Sequence, residues 1–181
     1  MLALRDPLTS LLNRRGFESD ARLLLNRAKE RGHPVTIVLV DIDRFKRIND
    51  AYGHDVGDAA VNHTARLLQT FLRTTDVLAR IGGEDFGVVL DSLGADGAVA
   101  LLERFRGHLS ENGFPAGPDK VDMLTVSVGV ASGCPTTLSL RQLMKQADKA
   151  LYEAKQTGRN RVVLAPSAKA PNPWSRRRNL S

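Results

Sequence analysis

Val35-Thr36-Ile37-Val38-Leu39-Val40 runs directly into Asp41-Ile42-Asp43. An unbroken β-branched and aliphatic run of this length reads as a strand buried on both faces. Carboxylates at the end of such a strand need a compensating partner, because burying an unpaired charge is costly. Upstream, Phe17, Ala21, Leu24, Leu25 and Ala28 recur at helical spacing from Asn13 to about Arg31, with Asn13 placed as a cap and Gly32 and Pro34 as a stop. Downstream, Phe45 and Ile48 mark a short helix, Tyr52 to Gly57 a polar Gly-rich segment, and Val61, Ala65, Leu68 and Leu72 a longer helix. Val77 to Ile81 and Phe86 to Leu90 flank Gly82-Gly83-Glu84-Asp85. That pattern predicts a β-hairpin whose glycines supply the positive-φ positions.

Val99, Leu102, Phe105 and Leu109 mark a further helix, and the Pro- and Gly-rich stretch from Gly113 to Lys120 reads as a loop. Met123 to Val130 reads as a strand. Leu140, Leu143, Met144, Ala147, Leu151 and Ala154 form a last long helix closed by Gly158, and Arg161 to Leu164 a short edge strand. This order contains a split βαββαβ unit, so the predicted fold is α+β, a ferredoxin-like sandwich with a mainly antiparallel central sheet of about five strands and flanking helices. In that topology the first strand lies antiparallel beside the third, which makes Asp41 and Glu84 expected neighbours.

Length and composition bound the rest. A chain of 181 residues has room for one ordinary domain, and 42% apolar with 25% charged residues excludes wholesale disorder. The single cysteine, Cys134, excludes an internal disulfide and fits a reducing, cytoplasmic compartment. No stretch approaches the roughly 20 apolar residues of a membrane span. The net charge of +6 is concentrated in residues 165–181, which hold Lys169, Arg176, Arg177 and Arg178 beside Trp174 and no acid; elsewhere 22 basic residues face 20 acidic ones. The reading is a domain over 1–164 followed by a basic, disordered tail, with no nucleic-acid partner expected.

Carboxylates converging at one sheet edge repel one another, and a divalent cation relieves that repulsion. Oxygen ligands without a nearby cysteine or paired histidine favour Mg²⁺ or Mn²⁺, and Mg²⁺ commonly joins carboxylates to substrate phosphates. Gly82 and Gly83 let backbone approach a bulky anion, and Lys46, Lys155 and Arg159 supply positive charge. Two metal ions can activate a hydroxyl and stabilise a leaving pyrophosphate, so nucleotidyl transfer is the natural reaction class. Asn49 and Asp58 have the groups to read a guanine edge. His54 and His63 lack ligand spacing and read as structural, and Cys134 has no base beside it.

From Asp6 to about Val163 the chain resembles the GGDEF family of diguanylate cyclases. The resemblance rests on Asp6-Pro7-Leu8-Thr9 with Asn13-Arg14-Arg15, Asp41-Ile42-Asp43-Arg44-Phe45-Lys46 with Ile48-Asn49-Asp50, and Tyr52-Gly53-His54 with Gly57-Asp58. It continues through Arg80-Ile81-Gly82-Gly83-Glu84-Asp85-Phe86, Ser127-Val128-Gly129, Ala147-Asp148 with Ala150-Leu151-Tyr152, and Ala154-Lys155 with Gly158-Arg159-Asn160. It implies a palm-type sandwich that condenses two GTP into cyclic di-GMP and two pyrophosphates, as a transient homodimer with one GTP and two metal ions per protomer. By the same resemblance Asp41, the Ile42 carbonyl, Glu84 and Asp85 would hold metal, with Glu84 as base for the ribose 3′-hydroxyl and Asp85 assisting. Asn49 and Asp58 would read guanine. Lys46, Lys155, Arg159, Gly82, Gly83 and the backbone at Arg44 and Phe45 would hold the triphosphate.

The family signature usually carries Glu where this chain has Asp85, one methylene shorter. A displacement of about 1 Å can cost on the order of 100-fold in rate. Two readings therefore stand: an active cyclase, and an impaired domain acting as a GTP or cyclic di-GMP receptor. Arg73-Thr74-Thr75-Asp76 matches the family's allosteric product-inhibition site, the alternative being a helix-end Arg and a turn-forming Asp. Domains of this family are output modules, so an upstream sensor domain, with or without a membrane tether, is expected in the full protein.

Overall fold

The aliphatic run from Val35 forms β1 (Val35–Ile42), buried along its whole length in the computed structural model, which describes residues 3–117 and 120–166. Its burial follows from its place at the centre of a five-stranded sheet. On one side lies β3 (Asp85–Asp91) and then β2 (Val77–Arg80); on the other lies β6 (Val126–Gly133) and then β7 (Arg161–Leu164). β1 runs antiparallel to β3 and β6, β2 antiparallel to β3, and β7 parallel to β6. The predicted α+β sandwich is the observed one.

Side chains alternate across the sheet, and each face is covered by helices. Val38, Val40 and Ile42 pack with Phe86, Val88, Val126 and Val128 beneath α3 (His54–Phe71) and α4 (Ala95–Asn112). Ile37 and Leu39 pack with Val89 and Ala131 beneath α1 (Arg14–Arg31) and α5 (Leu140–Gln156). Helix ends are closed as the sequence suggests. Asn13 Oδ1 accepts from the Gly16 amide at 3.1 Å, and Gly32 ends α1 at φ 68°. Ser139 and Gln142 form a reciprocal capping box on α5.

Four expectations change. Gly82 and Gly83 do not take positive φ; Gly82 is needed for space, since a Cβ there would lie 2.6 Å from Asp85 Oδ2. The expected short helix is α2 (Phe45–Tyr52), but the polar Gly-rich segment read over Tyr52 to Gly57 shrinks to Gly53 alone, at φ 87°, so Gly57 sits inside the first turns of α3. The loop from Gly113 is instead a small two-stranded sheet, β4 (Phe114–Gly117) with β5 (Lys120–Asp122). Its proline is tolerated because the ladder is only two strands wide, and Phe114 is buried against α3. Finally, Ala165 belongs to the body: it is buried and its amide donates to the Val130 carbonyl at 2.7 Å. The basic cluster Arg176, Arg177 and Arg178 lies outside the described residues. Among the described residues no helix is long and apolar enough to cross a membrane.

Sheet and helix approach closely at Gly129, where a Cβ would collide with the Ala147 carbonyl and the Leu151 amide of α5. Backbone cannot move aside as a side chain can. Gly129→Ala is therefore expected to cost about 3 kcal/mol, read as a lower urea midpoint at unchanged slope. A loss below about 1 kcal/mol would show that α5 is not held against the strand.

Candidate active site

Sheet parity decides which acids meet. Asp41 shares a face with Ile37 and Leu39, the α1/α5 face, and is paired in register with Asp85 of β3. The two carboxyl groups hydrogen-bond, and Lys155 Nζ, from the last turn of α5, reaches Asp41 Oδ2 at 2.6 Å. Burial pushes Asp41 up to about 7, with the Asp85 hydrogen bond adding to the shift and Lys155 opposing it. Glu84, half-buried, joins Ile42 through the backbone: its carbonyl accepts from the Ile42 amide at 3.2 Å. Among the described residues no three acids form a ready cluster, so the expected Asp41–Glu84 adjacency is a backbone one and the carboxylate contact is Asp41–Asp85.

Asp43 points elsewhere. It is 6% exposed and accepts from Ser127 Oγ at 2.6 Å, Thr125 Oγ1 at 2.8 Å and the Asn160 amide at 3.0 Å. It is a structural clip joining the ends of β1, β6 and β7, and nothing in the local pattern of residues distinguishes it from Asp41. The hairpin tip is clamped by a residue that sequence reasoning left without a role. Arg80 donates to the Gly83 carbonyl through Nη2 at 2.7 Å and Nε at 3.1 Å, and through Nη1 to Asp6 Oδ1 at 3.1 Å. Burial works the other way, but the Thr9 hydrogen bonds and then Arg80 hold the Asp6 carboxyl below its usual range.

The remaining candidates lie around this edge. Arg44 adopts φ 55° and starts α2, so the amides of Phe45 and Lys46 emerge from a helix N-terminus, an arrangement suited to phosphate. Lys46 and Arg159 are exposed. Asn49 of α2 lies against Gly57 of α3, beside Asp58, and its Oδ1 is buried without a hydrogen-bond partner. An unpaired buried acceptor is costly unless a ligand satisfies it. On the other side of the hairpin a cavity of about 370 Å³ is lined by Arg14, Asp85, Met144, Asp148 and Lys155 among others.

Asp76 forms a turn: Oδ2 accepts from the Arg73 amide at 2.8 Å and Oδ1 from the Asp91 amide at 3.0 Å. Arg73 stands exposed, and cavities of about 360 and 620 Å³ open beside Asp76. His63 packs on Phe114 with ring centroids 6.3 Å apart, and burial lowers its pKa. His54 is exposed at the start of α3.

The family described as "Diguanylate cyclase, GGDEF domain" matches residues 3–161. The chain belongs to that family. It is 39% identical over 167 residues to the probable diguanylate cyclase DgcT of Escherichia coli, covering 90% of this chain and 36% of DgcT. It is also 39% identical over 164 residues to the response regulator PleD of Caulobacter vibrioides, with 90% and 36% covered. The chain thus spans about a third of the length of these curated relatives. The GGDEF domain of DgcB from Caulobacter crescentus in complex with c-di-GMP superposes with a TM-score of 0.84 at 32% identity, over 91% of this chain and 96% of that one. The diguanylate cyclase SiaD of Pseudomonas aeruginosa, in complex with its activator SiaC, gives 0.83 at 34% identity, over 90% and 62%.

Diguanylate cyclases generally use divalent metal ions. The donor set of this GGDEF domain fits one: hard oxygens only, a carboxyl pair under strain, and a lysine ammonium serving as counter-cation. The shift at Asp41 sets a pH dependence for the metal-free domain. The ordinary value is 3.8 and the folded value about 7, so between them the folded state binds a proton that the unfolded chain lacks. Unfolding free energy should therefore decline as pH rises through that window. Urea unfolding in chelator across the window is expected to show this slope in the wild type and a flatter one in Asp41→Asn. Equal slopes would remove Asp41 as its source.

Proposed function

We propose that this GGDEF domain is an active diguanylate cyclase, which condenses two GTP into cyclic di-GMP with release of two pyrophosphates. Each protomer of a transient homodimer holds one GTP. The observation that carries this reading is the Asp41–Asp85 contact with Lys155 against it, at the sheet edge where the α2 N-terminus also opens. The impaired-receptor reading needs Asp85 to fall short. Its carboxyl reaches Asp41, which supports the active reading.

In this proposal Asp41, Asp85, Glu84 and the Ile42 carbonyl hold Mg²⁺ or Mn²⁺, two ions per GTP site. When bound, such ions lower the pKa of an attacking hydroxyl and neutralise a leaving pyrophosphate. Glu84 takes the proton of the ribose 3′-hydroxyl, which attacks the α-phosphate of the GTP held by the other protomer. Asn49 and Asp58 hold guanine; the unpaired Asn49 Oδ1 is an acceptor for its N–H donors. The amides at Arg44, Phe45 and Lys46, the Lys46 side chain, Lys155 and Arg159 hold the triphosphate, while Gly82 and Gly83 leave room for it.

The extra length of the relatives is where an input domain would sit, so the full protein is proposed to pair a sensor, membrane-tethered or not, with this domain in the cytoplasm. Residues 1–164 are proposed as the catalytic module, with Ala165 closing its core.

Mixing the protein with GTP and Mg²⁺ is expected to yield cyclic di-GMP and pyrophosphate, and Glu84→Ala to lower kcat on the order of 1,000-fold. Asp85→Glu should leave kcat within about tenfold, because the shorter acid already meets Asp41. A rise on the order of 100-fold would instead identify the natural domain as the impaired receptor. We also propose that cyclic di-GMP inhibits by binding at Arg73 and Asp76. Arg73→Ala should weaken that inhibition at least about tenfold; an unchanged inhibition curve would leave the Arg73–Asp76 turn purely structural.

A further inference from the structure

The bend that carries Arg159 has an unusual backbone. Gly158, Arg159 and Asn160 take φ of 124°, 61° and 44° in succession. Left-handed residues other than glycine are disfavoured singly and more so in series, so contacts from outside must hold them. Within the bend, the Arg159 amide donates to the Ala154 carbonyl at 2.9 Å and its carbonyl accepts from Arg161 Nε at 3.0 Å. The holding contacts from elsewhere converge on Asn160. Its amide donates to Asp43 Oδ2 at 3.0 Å, and its side-chain oxygen accepts from Arg106 Nη1 of α4 at 2.8 Å. Arg106 is itself fixed by Glu103, since Nε donates to Glu103 Oε2 at 2.8 Å, and Glu103 Oε1 accepts from the Val162 amide at 3.3 Å.

A surface ion pair between residues three apart on a helix contributes little on its own. The third arm makes this pair different. Arg106 crosses to a residue 54 positions away in sequence and grips the side chain directly after Arg159. Asp43 fixes the same residue by its backbone from the end of β1, so Asn160 is held from two sides while the Arg159 side chain stands exposed.

We propose that Arg106, braced by Glu103, is a positioning residue that fixes Asn160 and so aims Arg159 at the triphosphate of bound GTP. This rests on the cyclase reading, in which Arg159 is a phosphate ligand. Arg106 touches no substrate in this account; it acts through the bend. Its partner Asp43 is the poorer test, because removing it strands the buried Ser127 hydroxyl, the half-buried Thr125 hydroxyl and the Asn160 amide.

The test uses the 181-residue chain with Arg106→Ala and Arg106→Lys. Affinities for GTP and GMP in Mg²⁺ are measured by titration calorimetry, and KM and kcat by pyrophosphate release. Arg106→Ala is expected to weaken GTP about five- to tenfold while leaving GMP within about twofold, and to raise KM more than it lowers kcat. Arg106→Lys, which keeps a donor for Asn160, should recover most of the GTP affinity. Unchanged GTP affinity in Arg106→Ala overturns the proposal, and so does an equal loss of GTP and GMP, which would mean general loosening. A wild type that binds neither nucleotide overturns the cyclase reading and the brace with it. A wild type that binds GTP with no difference in the variants overturns the brace alone.

Discussion

Two carboxyl groups forced together by strand register are the constraint around which the site is arranged. Asp41 and Asp85 face each other because β1 and β3 are antiparallel neighbours, and that register is fixed by the hydrophobic pairs behind them, Val40–Phe86, Val38–Val88 and Ile37–Val89. Slipping by one residue would turn every aliphatic side chain of β1 onto the wrong face. The acids therefore cannot relax apart by shifting the sheet. Burial and mutual proximity disfavour their double ionisation, and the ammonium of Lys155 relieves only part of the cost. An acid pair with one member buried and too little positive charge beside it is a poor stabilising element and a good cation receptor.

The same parity sorts the rest of the chemistry. One face of β1 belongs to α1 and α5, which is why Lys155 arrives at Asp41; the other belongs to α3 and α4. Asp43, beyond the end of β1, is satisfied by Ser127, Thr125 and Asn160 and ties the origins of β6 and β7 to that end. Arg80 does the corresponding work at the hairpin, holding the Gly83 carbonyl and Asp6 at once. Site residues thus sit on short segments whose backbones are tied to rigid strands, an arrangement that suits geometry-sensitive chemistry.

Most of the architecture was legible because burial writes strong periodicities. The run from Val35, the apolar stripes of α1 and α5, and the Asn13 and Gly32 caps each correspond to an observed element. The misreadings have a common physical source, since glycine and proline signal an exceptional backbone without saying which exception. Gly82 is small to clear a carboxylate rather than to reach positive φ, Gly57 is small to admit Asn49 inside a helix, and Pro115 lies in a two-stranded ladder. Conversely, Arg159 and Asn160 take positive φ where no glycine announces it. Which of three neighbouring acids meet was not legible at all, because it depends on where β1 ends and on which hydroxyls wait beside it.

Lys155 links the resting and working arrangements under the cyclase reading. One ammonium cannot neutralise Asp41 and also hold a triphosphate at full strength, since its donors and its charge are shared between them. Lys155 leaving Asp41 for the phosphates would expose the carboxyl pair to its own repulsion unless a dication took its place. Nucleotide and metal arriving together satisfy both demands in one event, whereas either alone leaves a charge uncompensated. Under that reading the arrangement of Asp41, Asp85 and Lys155 would favour the metal-bound nucleotide over the bare one, a preference set by electrostatics within this chain before any guanine contact is made.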